Sequence, residues 1–137
     1  MTGANRLTQP NVVASGVDCP VLTEYFARLD GSRPDTLLAL LAPDFRFTTI
    51  WGEQDFARSS SGGVAELQAY FASRNATGQR HHLLHGTSSD GRVEVAAGYT
   101  TRHGRPLASF LVTVHLDPSR RIRRLMSART TEMHLLD

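Results

Sequence analysis

Apolar residues recur at helical spacing in the first half of the chain. Asp18 to Leu29 carries one apolar stripe at intervals of three and four residues, and Val64 to Arg74 carries another. Between them, the segment 32–35 (SRPD) is typical of a helix start, because Ser-x-x-Asp spacing is combined with a proline in the first turn. A short helix from Asp35 to Leu41 should follow and end before Pro43. The pattern therefore predicts three helices.

Runs of β-branched and aromatic residues predict strands in the rest of the chain. Phe45 to Trp51 is the first, and Phe56 to Ser61 is a short partner. Four more strands follow in series, joined by turns that contain Asp-Gly, His-Gly and Asp-Pro: residues 81–88, 92–102, 107–116 and 122–133. Early helices followed by hairpin-connected strands predict an α+β fold, with the helices on one face of an antiparallel sheet.

Length and composition limit the classes of protein that remain. At 137 residues, 40% of them hydrophobic, the chain is expected to form one domain over 18–137, preceded by a flexible arm over 1–17. No segment of about 18 apolar residues predicts a membrane span, so we expect no membrane partner and a cytoplasmic location. The single cysteine, Cys19, excludes an internal disulfide.

All 15 basic residues are arginine, and the net charge is only +2. The absence of lysine excludes Schiff-base chemistry and a lysine base. The densest basic segment, 120–124 (RRIRR), has no interleaved aromatic residues, so we interpret it as a solvated face and expect no nucleic-acid partner.

Three histidines, His81, His82 and His85, raise the question of a metal site. On a regular strand His81 and His85 would share one face about 13 Å apart, at about 3.3 Å per residue, which is too far to share an ion. The glutamate of an HExxH zinc motif is also missing. We therefore predict no metal and, since no phosphate-binding or dinucleotide-binding glycine motif occurs, no organic cofactor.

Three polar residues within apolar segments are the candidate catalytic residues. Tyr25 and Asp30 lie five residues apart at the end of the first helix, and His82 begins a strand. An imidazole can act as general base and acid, a carboxylate can orient it, and a phenol can donate to an oxyanion. Each also has a structural interpretation: a core tyrosine, a turn-forming aspartate and a buried histidine bonded to the backbone.

The element order and two segments, EYFARLDGSRPDTLLALLAPDFRF and RHHLLHGTSSDGRVEVAAGY, resemble the SnoaL-like branch of the nuclear transport factor 2-like superfamily. The resemblance covers roughly residues 18–133. It implies a strongly curved antiparallel sheet that three helices close into a cone with a deep apolar pocket. Relatives with this fold include ketosteroid isomerases, scytalone dehydratase, bile acid 7α-dehydratase, polyketide cyclases and non-catalytic pocket proteins, so the fold alone does not decide the reaction.

Comparison by residue favours dehydratases over the isomerase. The isomerase's base and acid would fall at Thr49 and Val112, neither of which titrates, although its oxyanion-hole tyrosine would fall at Tyr25. Bile acid 7α-dehydratase has a tyrosine and an aspartate five residues apart with a strand histidine, which Tyr25, Asp30 and His82 match. Scytalone dehydratase has counterparts at Asp30 and His82 but no secure second histidine.

The resemblance also sets the phase of the strands that would line the pocket. The predicted lining is apolar, which suits a small hydrophobic substrate or ligand, and consists of Phe47, Thr49, Trp51, Phe110, Val112 and Val114. The sequence leaves open which way Glu94, His103 and His115 face. Because both faces of the later strands carry apolar residues, we expect a homodimer or homotrimer joined through the outer sheet face.

Two classes of function remain from the sequence. The first is a cofactor-independent lyase or isomerase with dehydratase-like acid–base chemistry on a polyketide, terpenoid or steroid. The second is a non-catalytic module that binds a small molecule or mediates association. Polyketide cyclase and epoxide hydrolase chemistry are further alternatives.

Overall fold

The computed structural model describes residues 16–53, 56–73 and 78–136. Two α-helices and one 3₁₀-helix accompany six strands in these ranges. The helices are α1 (Pro20–Leu29), the 3₁₀-helix (Pro34–Leu40) and α2 (Val64–Ser73). The strands are β1 (Leu41–Glu53), β2 (Phe56–Gly62), β3 (Gln79–Ser89), β4 (Val93–Arg102), β5 (Arg105–Leu116) and β6 (Ile122–Thr130).

The six strands form one curved sheet in the order β2-β1-β6-β5-β4-β3. Neighbouring strands are antiparallel except β1 and β6, which run parallel. The parallel pair arises because the four-strand meander ends beside the first strand. The predicted α+β class is confirmed, and the sheet is mixed where an antiparallel one was expected.

The core lies between the helices and the concave face of the sheet. Leu22 of α1, Leu37 of the 3₁₀-helix, Val114 of β5 and Ile122 of β6 are fully buried there. The middle helix, expected as α-helix, is a 3₁₀-helix, a form common in short connecting segments. No helix among the described residues has the length and apolarity that crossing a membrane requires.

The expected flexible arm over 1–17 lies outside the described residues up to position 15. Its last two residues, Gly16 and Val17, run beside β3. The Gly86 amide donates to the Gly16 carbonyl at 2.9 Å, and Val17 forms a parallel bridge with Gly86. The chain is therefore joined to the sheet before α1 begins.

β3 contains an irregularity that changes which residues face the core. Leu83 pairs with Gly98 and His85 pairs with Ala97, so one extra residue, Leu84, is accommodated as a β-bulge. The bulge brings the backbones close together, because a Cβ at position 98 would collide with the carbonyl oxygen of His82. Only glycine fits there. The extra residue also reverses the alternation of β3, so that odd-numbered residues face the core before the bulge and even-numbered residues face it afterwards.

A buried carboxylate from the sheet holds the first turn of α1. Glu94 of β4 is fully buried and accepts hydrogen bonds from the backbone amides of Leu22 at 2.8 Å and Val21 at 3.1 Å. These amides belong to the unsatisfied set at a helix N-terminus, where the helix dipole also favours negative charge. The side chain at the N-cap position, Cys19, makes no capping hydrogen bond. Glu94 therefore supplies the cap from another element.

The other two positions that the sequence left open are on the surface. His115 is exposed, and Val114 beside it in β5 is fully buried. His103 occupies the β4–β5 turn with a positive φ of 52°. Neither imidazole therefore belongs to the interior of the fold.

Removing the Glu94 carboxylate should destabilise the protein through α1. Glu94→Ala leaves the buried Leu22 amide without its acceptor, and we expect a loss of about 2–4 kcal/mol in the free energy of unfolding, measured with urea. The matched control is Glu24→Ala, which removes an exposed ion pair with Arg28 on the same helix and should cost about 0.5 kcal/mol or less. Equal losses in both variants would contradict the capping role.

Cys19 provides a local readout for the same experiment. The thiol is buried beside Gly86, and burial raises its pKa. A raised pKa keeps the thiol protonated at neutral pH, so a maleimide should alkylate it slowly in the native protein. Glu94→Ala should accelerate alkylation more than Glu24→Ala does, because it loosens the turn beside Cys19.

Exposed and half-buried side chains, most of them apolar and two of them threonines, form two adjacent rows on the convex face. Ile50, Ala128, Leu111 and Ala97 are cross-strand neighbours in the first row, and Thr48, Met126, Thr113 and Val95 follow in the second. Leu111, at the centre, is 58% exposed. Contiguous apolar surface of this kind is typical of an interaction site. We propose that another copy of the chain covers it, in a homodimer or homotrimer joined through this outer face of the sheet.

The proposed association is tested by Leu111→Arg. We expect the wild-type chain to be a homodimer or homotrimer by light scattering at micromolar concentration, and Leu111→Arg to be a monomer with unchanged circular dichroism, because association would bury an unpaired charge in the interface. Met133→Arg is the control, since Met133 is exposed beyond the end of β6. A monomeric wild type, or dissociation by both substitutions, would contradict the proposal.

Candidate functional site

An apolar cavity of about 470 Å³ lies between the concave face of the sheet and the helices. Side chains of α1, α2 and all six strands contribute to its wall. Most of the wall is aliphatic or aromatic, and the cavity is large enough for a small organic molecule. Polar side chains are interspersed on this wall, and their positions decide what the site can do; they are Thr49, Ser60, His81, Thr100, Ser127, Arg129, Thr130 and Thr131.

Five of the six residues predicted to line the pocket are on this wall. They are Phe47, Thr49 and Trp51 of β1 and Phe110 and Val112 of β5. Val114 was also predicted to line the pocket, but it is fully buried in the core and is not among the described residues of the cavity wall. Phe110 and Val112 line the cavity, whereas Val114, further along β5, packs in the core. The role of these residues in substrate binding stays a prediction.

A buried carboxylate–imidazole pair connects the end of α1 to β3. Asp30 Oδ1 lies 2.8 Å from His81 Nδ1, and the His81 backbone amide donates to Asp30 Oδ2 at 2.6 Å. Their side chains are only 7% and 11% exposed. Because an ionised carboxylate can only accept, this contact places a proton on Nδ1 and leaves Nε2 as the basic nitrogen of the neutral ring.

The helix end determines where this carboxylate lies. α1 ends at Leu29, and Asp30 is its C-cap, with its amide donating to the Phe26 carbonyl at 2.9 Å. The backbone carbonyl of Asp30 also accepts a hydrogen bond from Arg80 at 3.1 Å. Asp30 is therefore fixed against the first residues of β3 by both its side chain and its main chain.

His82 is on the opposite face of the sheet, so the predicted His82–Asp30 contact is wrong. Its ring stacks on Tyr99 with centroids 4.7 Å apart, and Nε2 lies 2.9 Å from the Thr101 hydroxyl. Neither His82 nor these two partners is among the described residues that line the cavity. The imidazole that the structure brings to Asp30 is that of His81, the preceding residue.

The β3 bulge explains this displacement by one position. Gly86 pairs with Ala96 on the core face, and counting back by twos along a regular strand would place His82 on that face. The extra residue reverses the phase, so that His81 faces the core. The sequence contains a signal for the bulge that the prediction did not use: Gly98 interrupts an otherwise regular strand, as glycines at bulges do.

Aromatic rings fix the His81 imidazole in place. Phe26 stacks on it with centroids 4.6 Å apart and planes 20° apart, and Phe110 contacts it at 5.4 Å and 64°. Tyr25, buried on the cavity wall, packs edge to face against Phe26 at 5.2 Å. Tyr25, Asp30 and His81 therefore belong to one packed cluster, which is the predicted set with one histidine replaced.

The described residues include no group of three or more side chains suited to holding a metal ion. The expected geometry of the histidines also changes, because the bulge places His81 inside the fold and His85, paired with Ala97, outside it. The two imidazoles therefore do not share a face of β3.

Comparison with known proteins identifies the fold. No family model and no curated protein matches the chain. Among solved structures, a candidate isomerase of the SnoaL-like family from Agrobacterium tumefaciens strain C58 has a TM-score of 0.54 and 15% identity over 80% of this chain and 94% of that one. A SnoaL-like protein of unknown function from Burkholderia thailandensis E264 has a TM-score of 0.58 and 12% identity over 88% and 97%.

A third similar structure is SalBIII, an epoxide hydrolase/cyclase-like enzyme with a role in pyran ring formation in the polyether salinomycin. It has a TM-score of 0.57 and 15% identity over 80% of this chain and 88% of that one. Identities this low establish architecture and not activity. The chain has the SnoaL-like form of the nuclear transport factor 2-like fold.

Proposed function

We propose that this protein is a cofactor-independent lyase or isomerase that acts on a small hydrophobic substrate by acid–base chemistry. The observation that carries the proposal is the buried Asp30–His81 pair, whose imidazole lies on the wall of an apolar cavity. Removing an imidazole and a carboxylate from water is unfavourable, and well-packed apolar residues would stabilise the same position as well or better. Such a pair is therefore more typical of a reaction site than of a purely structural contact.

The roles of the three groups follow from their chemistry. His81, with Nδ1 donating to Asp30, uses Nε2 to remove a proton from the carbon next to a substrate carbonyl. Asp30 holds the ring in this tautomer and stabilises the imidazolium that forms. The Tyr25 phenol donates a hydrogen bond to the enolate oxygen without itself ionising.

The proton that His81 removes is sufficient to complete a dehydration. The enolate re-forms the carbonyl, the bond from the β-carbon to its hydroxyl oxygen breaks, and the imidazolium returns its proton to the leaving oxygen. Water and a conjugated carbonyl compound are the products, and His81 regains its neutral form. If the proton is instead returned to another carbon of the enolate, the same groups perform an isomerisation.

Substitution of the pair tests this proposal. Hydrophobic β-hydroxy ketones are screened by the ultraviolet absorbance of the conjugated product. With a substrate found, His81→Ala should reduce kcat by about 10²–10⁴-fold, the range for a positioned acid–base. Asp30→Asn should reduce it by a smaller factor, and Tyr25→Phe should lower kcat more than it raises KM.

His82→Gln is the matched control for the histidine. It changes the neighbouring residue on the outer face, keeps a polar partner for Thr101, and should leave kcat unchanged. Loss of activity in His82→Gln with full activity in His81→Ala would overturn the assignment. Binding of hydrophobic ketones without turnover in any screen would favour a non-catalytic binding module.

The cavity itself is tested by filling it. Val112→Arg places a long charged side chain on the buried wall, and we expect at least a tenfold loss of affinity for the apolar fluorophore N-phenyl-1-naphthylamine. Leu111→Arg, at the adjacent position on the outer face, should bind the fluorophore like the wild type. Circular dichroism and thermal unfolding show whether each variant is folded. Unchanged binding by a folded Val112→Arg variant would contradict the cavity as the ligand site.

A further inference from the structure

We infer that the Thr100 hydroxyl is the hydrogen-bonding anchor for an oxygen atom of the ligand, so that the cavity takes hydrophobic molecules bearing a carbonyl or hydroxyl group. Thr100 is on the cavity wall and only 2% exposed. Within the part of the chain that the structure describes, its Oγ1 is the buried side-chain polar atom that has no hydrogen-bond partner. The inference deepens the proposed function, on which it rests for the nature of the ligand.

An unpaired buried hydroxyl is unfavourable, because it has lost its hydrogen bonds to water and gained none in the protein. Valine has nearly the same shape, is at least as favourable in a strand, and would avoid this loss. A threonine at this position is therefore best explained by a partner that is not part of the protein. The β5 neighbour of Thr100 is Ala108, which is fully buried and has no polar side-chain group, so we expect the partner to come from the cavity that Thr100 lines.

Other hydroxyls nearby show the contrast. Thr101, the next residue, faces outward and is paired with His82 Nε2 at 2.9 Å. Thr49, also on the cavity wall, is paired with Ser127 at 3.0 Å between the hydroxyl oxygens. These hydroxyls are satisfied within the protein, whereas that of Thr100, a residue of the same cavity wall, has no hydrogen-bond partner among the described residues.

The position of Thr100 connects the anchor to the proposed chemistry. In the β3–β4 register Thr100 is directly opposite His81, and both line the cavity. Side chains opposite each other on neighbouring strands have Cβ atoms about 4.5–5.5 Å apart. A ligand oxygen bonded to Thr100 would therefore lie beside the His81 imidazole, which is where a substrate carbonyl or leaving hydroxyl has to be.

A pair of probes of similar shape tests the anchor without turnover. The full-length protein is titrated with 2-acetylnaphthalene, which has a ketone oxygen, and with 2-isopropylnaphthalene, which has none. We expect Thr100→Val to weaken binding of the ketone relative to the hydrocarbon by about 2–12-fold, the equivalent of one neutral hydrogen bond. Thr100→Ser, which keeps the hydroxyl, should retain the wild-type ratio.

Thr49→Val is the control for a cavity hydroxyl with an internal partner. It should lower the melting temperature of the free protein, because it leaves Ser127 unpaired, and should change the binding of both probes equally. Thr100→Val should leave the melting temperature of the free protein unchanged or raise it. A lower melting temperature in Thr100→Val would mean that the hydroxyl already has a partner, a bound water included, and would overturn the inference.

The outcome separates the anchor from the reaction. An unchanged ketone-to-hydrocarbon ratio in a folded Thr100→Val variant overturns the anchor, whatever His81→Ala does to turnover. A reduced ratio together with full turnover in His81→Ala supports the anchor and overturns the proposed acid–base role.

Discussion

The first helix is held at both ends by buried carboxylates, and the site depends on this arrangement. Glu94 of β4 accepts from the amides of its first turn, and Asp30 at its C-cap accepts from the amide and the ring of His81 on β3. A helix of ten residues is marginal alone. Fixed at two points to adjacent strands, it holds Tyr25, Phe26 and Leu29 against the cavity, and Asp30 joins its end to the His81 imidazole.

Local signals predicted most of the fold because they are short-range. Apolar stripes marked α1 and α2, and the Asp-Gly and His-Gly pairs marked hairpin turns where Asp90, Gly91, His103 and Gly104 all have positive φ. The parallel pairing of β1 with β6 could not be inferred in the same way, since it joins segments about 80 residues apart. Pairing at that distance depends on how the whole sheet curves and closes.

The residue types of the candidate site were predicted from the sequence, but the histidine was assigned one position too far along the chain. Tyr25 and Asp30 lie in the packed cluster, and the sequence could point to them because Gly31 and the apolar stripe locate the end of α1. The histidine was assigned by strand alternation, which one bulged residue reverses. Thr100 was missed for a related reason: Thr100 and Thr101 are equivalent in sequence, and only their register with His81 and His82 distinguishes the buried hydroxyl from the satisfied one.

The arrangement of polar groups favours a cavity that orients its ligand over one that only encloses it. An apolar cavity that bound any molecule of suitable size would need neither the Asp30–His81 pair nor the Thr100 hydroxyl, and each is unfavourable without a compensating interaction. His81 and Thr100 are at the same register position on neighbouring strands, while the hydroxyls of Thr49 and Ser127 bond to each other. A ligand whose single oxygen bonds to Thr100 would therefore bind in one orientation, with that oxygen beside His81.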